Sequence, residues 1–195
     1  MNLLEIGVKP DSRFSRADVL ACLRLIDNHA PIGRKKLGEK IGIGEGSVRS
    51  ILTILKGENY VSSTPRGHVL TDKGKHRLGD IERKLVQLDA GGITVGGTDA
   101  AVIVEGASYL VDNGVSVRDE AIKAGAEGAT TLIFENGDFE FPGMKLDLKS
   151  KIKRKLEEEF RLEDGDVIII GSGDDRVDAE KGALAGADYL LDCKA

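Results

Sequence analysis

Apolar residues recur as Val48, Ile51, Leu52 and Leu55 in the segment GSVRSILTILKGENYV. This i, i+3, i+4, i+7 stripe predicts an amphipathic helix with one buried face. The opposite face holds Glu45, Ser47, Arg49, Ser50 and Thr53, short polar groups with one cation, and Gly57 and Asn59 close the segment. Upstream, Val19, Leu20, Leu23 and Ile26 follow the same period behind Ser15, a predicted N-cap with Asp18 three residues on. Asn28, Pro31 and Gly33 end that helix, and Leu37 and Ile41 in RKKLGEKI predict a short second one before the turn GIGEG. Downstream, residues 60–63 and 68–70 flank TPRG, which predicts a small hairpin with Arg66 at its tip. LTDKGKHRL opens a further helix capped by Thr71 or Asp72. Leu78, Ile81, Leu85 and Leu88, spaced 3, 4, 3, extend it to residue 88 as an a/d seam. The seam reads either as packing within the chain or as a contact between two copies. Three helices, a small hairpin and a helix follow the order of a winged helix-turn-helix.

Past residue 90 the pattern changes. DAGGITVGGTDAA, with Gly91, Gly92, Gly96 and Gly97, marks a boundary and lacks the Lys-Ser/Thr pair of a phosphate loop. AAVIVE and VIIIGS predict buried strands, and SVRDEAIKAGA predicts a helix capped by Ser116. Asn136-Gly137 predicts a type I′ hairpin with Leu132, Phe134, Phe139 and Phe141 on one face. Leu148, Ile152, Leu156 and Phe160, four apart, predict a helix, DAEKGALAGA another, and DYLLD a final strand. EAIKAGAEGATTLIF and EKGALAGADYLLD read as a weak repeat of two β-α-β-like units. Ala121, Ala124, Gly125, Ala183, Ala185 and Gly186 would let helices pack closely on a sheet. The expected fold class is α+β: a winged helix-turn-helix domain over residues 1–90, then a small α/β domain with a mixed sheet over residues 91–195.

Charge sharpens that division. The formal net charge is −5, but residues 1–90 carry 16 Lys+Arg against 11 Asp+Glu, and residues 91–195 carry 12 against 22. A basic half can meet nucleic acid, whereas the acidic half is repelled by it. Aromatic residues make up 4% with no Trp, which argues against a binder that stacks single strands. Apolar runs such as residues 167–170 fall far short of the roughly 20 residues of a membrane span. MNLLEIGVKPDS lacks the basic and apolar regions of a secretory leader, so no membrane partner and a cytoplasmic location are expected.

Candidate chemistry is sparse. Cys22 and Cys193 stand alone, outside any CxxC, and His29 and His76 have no partner at metal spacing, so no metal and no cofactor are expected. Both cysteines read as small buried hydrophobes, with a mutual bridge or a reactive thiol as alternatives, and His68 reads as a surface residue of the hairpin. Asp174 and Asp175 in GSGDDR read as a helix cap or a cation site. Arg118 with Asp119 and Glu120 reads as a polar cluster or a plain helix surface. No Ser/His/Asp set, paired-His motif or activated Cys emerges, so no enzymatic activity is expected.

SVRSILTILKGENYV resembles the recognition helix of MarR- and PadR-like regulators, and HVLTDKGK resembles the stretch that closes their wing. This resemblance spans residues 14–88, and the glycine-rich GIGEGS departs from their polar lead-in. Through RDEAIKAGAEGATTLIFENG the whole chain resembles an uncharacterised archaeal winged-helix family labelled as transcription regulators. The resemblance implies double-stranded DNA as a partner. Ser47, Arg49, Ser50 and Thr53 would enter the major groove, and Arg34, Lys35 and Lys36 would lie near the phosphate backbone. Arg66 would reach a minor groove or phosphates, while Arg49 also reads as a solvated surface residue. A homodimer whose C-terminal domain senses a small-molecule effector or supports dimerisation completes the expectation. A nucleotide-binding or enzymatic domain, or a protein-interaction adaptor, carrying a winged helix is the alternative.

Overall fold

The computed structural model describes residues 12–144 and 148–194; most of the opening stretch read above for a leader lies outside the described residues. The chain divides into two compact units, Met1–Arg83 and Lys84–Ala195.

In the first unit Ser15 caps α1 (Arg16–His29) with a complete capping box. Its hydroxyl accepts the Asp18 N–H at 3.2 Å, and the Asp18 carboxylate accepts the Ser15 N–H at 2.7 Å. Helix α1 buries Val19, Leu20, Cys22, Leu23 and Ile26. Helix α2 (Arg34–Ile41) buries Leu37 and stops at Gly42, whose φ of 82° suits glycine. A Cβ at Gly38 would lie 3.0 Å from the Ile43 carbonyl oxygen, so glycine lets α2 meet the chain leading into α3. Helix α3 (Glu45–Gly57) buries the predicted stripe Val48, Ile51, Leu52 and Leu55, each side chain worth about 1.5–3 kcal/mol when removed from water. Strands β1 (Val61–Thr64) and β2 (Gly67–Leu70) pair antiparallel around Pro65 and Arg66. His68 also exchanges two main-chain hydrogen bonds with Ile32, at 2.9 and 3.2 Å, which tie the wing to the chain before α2. Thr71 caps α4 (Asp72–Lys84), its hydroxyl accepting the Gly74 N–H at 3.0 Å. This is the winged helix-turn-helix order.

Helix α4 stops at Lys84, and the expected a/d seam through residue 88 does not form. Leu85–Leu88 is strand β3, paired antiparallel with β4 (Thr98–Val104) so that Leu85 lies opposite Val102. The ladder satisfies a row of main-chain groups and buries Leu85, and this tertiary pairing outweighs the helical spacing of the leucines.

Among the described residues the second unit forms a five-stranded sheet in the order β3-β4-β7-β5-β6, with β5 at Gly128–Glu135, β6 at Asp138–Glu140 and β7 at Asp166–Gly173. The α+β class holds, but every neighbouring pair is antiparallel, which corrects the expected mixed sheet. β4 and β5 run the same way, as a β-α-β unit requires. β7 enters between them in the opposite direction and takes the hydrogen bonds of both.

Both faces of this sheet are covered, so its central strands read as continuous apolar runs. Ile168 and Ile170 of β7 join Ala101, Ile103, Leu132 and Phe139 against Ile152 and Leu156 of α6 (Ser150–Glu159). On the other face α7 (Arg176–Lys194) packs against β7, and α5 (Val115–Lys123) against α7 and β5. Part of the small-residue expectation holds: Ala121 and Ala183 are fully buried and a Cβ at Gly186 would sit 3.0 Å from Ile169 Cγ2, whereas Gly125 is exposed with nothing within 4 Å of a built Cβ. On β7, a Cβ at Gly171 would strike the main chain of Ala179 and Ala183.

Two local expectations fail here. Residues 188–192 stay helical within α7 instead of forming a last strand, because β7 already has a partner on each edge and Leu190 is buried from the helix. Ser116 lies inside α5, which begins at Val115 behind Gly114 with φ 73°. The hairpin forms as predicted, with Asn136 at φ 53° and Gly137 at φ 74°, and the Phe134 and Phe139 rings meet edge-on at 5.1 Å. Asp175 caps α7, accepting the Asp178 N–H at 3.0 Å. Both cysteines are free; Cys22 is buried as expected, whereas Cys193 is exposed and has no bridge to it.

Candidate nucleic-acid interface

The buried stripe fixes the rotation of α3 about its own axis. Arg49, Ser50 and Thr53 are thereby exposed and Ser47 is half-buried. With Gly44, Gly46, Ile54 and residues 12–14 they line one open groove of about 800 Å³. Nothing lies within 4 Å of a Cβ built at Gly44 or Gly46, so the entry of α3 is open to close approach.

The hydroxyls on this face already have partners for their protons. Ser50 donates to the Gly46 carbonyl at 3.2 Å and Thr53 to the Arg49 carbonyl at 2.9 Å, back-bonds into the preceding turn. Ser47 donates to the carbonyl of Arg13 at 3.2 Å. Each hydroxyl therefore offers lone pairs to a partner rather than a free proton. Arg49 forms no ion pair with a described residue.

The remaining predicted cations separate into two kinds. Lys35 and Lys36 are exposed at the start of α2, and neither pairs with a described carboxylate. Arg34 is not free: its Nε donates to Glu45 Oε1 at 2.7 Å and a terminal nitrogen lies 2.5 Å from the same oxygen. The resemblance implies that Arg34 lies near phosphates, but the structure gives its charge a partner on α3. Arg66 is exposed at the wing tip, where its N–H donates to Thr64 Oγ1 at 3.3 Å and the Thr64 hydroxyl donates to the Gly67 carbonyl at 3.0 Å. His68 is half-buried, its Nδ1 3.2 Å from Ser63 Oγ. Burial, then the charges of Lys56 and Arg34, hold its pKa below the ordinary imidazole value.

Arg13 is the charged residue of this groove that sequence reasoning missed. Its sequence neighbourhood announces only the capping box of α1, and its partner Ser47 is 34 positions away.

In the second unit the buried carboxylates hold main chain or neighbouring side chains. Asp99 accepts the Ala90 N–H at 2.9 Å, Asp166 accepts those of Gly106 and Glu163 at 2.9 and 2.8 Å, and Glu180 receives Arg176 Nε at 2.7 Å. Among the described residues no group of three His, Cys, Asp or Glu side chains is placed to hold a metal. A smaller cavity of about 270 Å³ lies at the start of α5 and includes Arg118, whose guanidinium bonds Asp119 at 3.3 Å. No helix among the described residues is long and apolar enough to cross a membrane.

Two family models match the chain. Residues 16–76 match the N-terminal domain of PH0730-like proteins, and residues 95–190 match a domain of unknown function, DUF4443. Among solved structures, a hypothetical protein, PH0730 from Pyrococcus horikoshii OT3, is similar over 93% of this chain and 95% of that chain, with 28% identity and a TM-score of 0.61. An IclR family transcriptional regulator from Brucella abortus aligns over 98% of each chain with 14% identity and a TM-score of 0.30, which does not establish a shared fold. No curated protein matches.

Proposed function

We propose that this chain is a DNA-binding transcription regulator without catalytic activity. Its first unit would read duplex DNA through α3 and the wing. Its second unit would sense a small-molecule effector or join two copies into a homodimer. The observation that carries this reading is the rotation of α3, whose buried Val48, Ile51, Leu52 and Leu55 leave Ser47, Arg49, Ser50 and Thr53 along an open groove. Lys35, Lys36 and Arg66 are exposed in the same unit and suited to phosphates, where each contact releases a counterion. Two copies would suit two half-sites, as paired recognition helices require.

Selection of fragmented source-genome DNA by the purified full chain tests the reading, beside an Arg49→Glu/Arg66→Glu double variant. At about 50 mM salt, where phosphate contacts are strongest, the wild-type chain should enrich a few palindromic sites and the variant should lose them. No enrichment by either protein overturns the reading.

A further inference from the structure

We propose that Arg13 is a phosphate-backbone contact of the same interface, its main chain anchored on α3 and its side chain presented beside Arg49. This rests on the DNA-binding reading. Three observations place Arg13 there. Its carbonyl accepts the Ser47 hydroxyl at 3.2 Å, which pins the incoming segment to α3. Two residues later the Ser15 capping box fixes the chain again, with the Ser15 N–H donating to Asp18 at 2.7 Å. The segment is thus held at two points before any partner arrives, and little ordering entropy remains to be lost on binding.

The charge of the groove is the third observation. Among the described residues its lining includes two guanidiniums, Arg13 and Arg49, and no carboxylate. Glu45, at the start of α3, is held by Arg34 and does not line it. Arg13 is exposed and forms no ion pair with a described residue. A groove with two guanidiniums, accepting hydroxyls and an open glycine entry suits an extended polyanion. Guanidinium forks match phosphate oxygens bidentately, so the ligand chemistry is the sugar–phosphate backbone of duplex DNA lying along α3.

The test is fluorescence anisotropy of a labelled mixed-sequence DNA duplex with the full chain, titrated at salt from about 50 to about 200 mM. Arg13→Ala should weaken binding about fivefold and lower the slope of log affinity against log salt by about 1, as Arg49→Ala should. Ser47→Ala keeps the guanidinium but loses its anchor; it should weaken binding by less and leave the slope unchanged. Arg161→Ala, at an exposed position in the second unit, should match wild type. Circular dichroism melts identify any variant that has lost its fold. If wild type binds and Arg49→Ala lowers the slope but Arg13→Ala does not, the role of Arg13 is overturned and the DNA reading stands. If wild type fails to bind duplex even at the lowest salt, both fall together.

Discussion

Arg34 and Glu45 form a short charged bridge, Nε to Oε1 at 2.7 Å, that ties the start of α2 to the start of α3. Both side chains are exposed, at 38% and 52%, so the pair adds at most about 1 kcal/mol to stability. Its larger effect is on charge: a cation suited to phosphate is neutralised within its own unit. Glu45→Ala should therefore free Arg34 and tighten duplex binding several-fold, with a salt slope steeper by about 1. Anisotropy titrations read both quantities. Unchanged affinity would remove Arg34 from the interface.

Gly74 sits in the first turn of α4 directly against Tyr60. A Cβ there would collide with the Tyr60 carbonyl oxygen and lie 2.9 Å from its carbonyl carbon. Helix propensity alone favours Gly→Ala by about 1 kcal/mol. The collision reverses the sign, and Gly74→Ala should destabilise the first unit by about 1–3 kcal/mol, the usual cost of overpacking. Urea denaturation measures the loss, and a stabilised variant would show that α4 and the chain entering β1 at Tyr60 can move apart freely.

The wing supplies a pH dependence. Burial, then Lys56 and Arg34, depress the pKa of His68 in the folded chain. Between that depressed value and the unfolded value of about 6.5, the unfolded chain binds a proton that the folded chain refuses. The His68 contribution to stability is therefore fully present above the unfolded value and is lost as pH falls through the window below it. Denaturation midpoints followed from about pH 8 to about pH 5.5 should decline, and His68→Asn should flatten the decline. An identical slope in the variant would assign the effect to other groups.

The two thiols should differ in reactivity. Burial pushes the Cys22 pKa up to about 12, so its thiolate is scarce and shielded, while Cys193 is exposed. A chromogenic thiol reagent should titrate Cys193 alone in the native chain and Cys22 only in denaturant. Rapid reaction of both in buffer would show that α1 opens readily.

Where the sequence was legible, one residue period and one set of end signals agreed. The α3 stripe, the Ser15 capping box, the Thr71 cap and the Asn136-Gly137 turn are all local, and each formed as read. Leu85–Leu88 was illegible because its spacing suits a helix and no glycine or proline interrupts residues 80–88; only the partner strand β4 decides. The same holds for residues 188–192, where strand-like Tyr189 and Leu190 stay helical because no open edge of β7 awaits them. In the interface, exposure of Arg49 and Arg66 followed from periodicity and turn position. The neutralisation of Arg34 and the anchoring of Arg13 depend on contacts 11 and 34 residues apart, which no local pattern encodes.

The strand order β3-β4-β7-β5-β6 sets a timetable for synthesis. β7 is the last strand to leave the ribosome, yet it is the central one, and β4 and β5 bond to it rather than to each other. Until residue 173 emerges, the β3–β4 and β5–β6 ribbons can form separately but cannot join into one sheet. Their inner edges stay open for that interval, inviting the wrong partner on a crowded nascent chain. The first unit, complete long before, has no such wait.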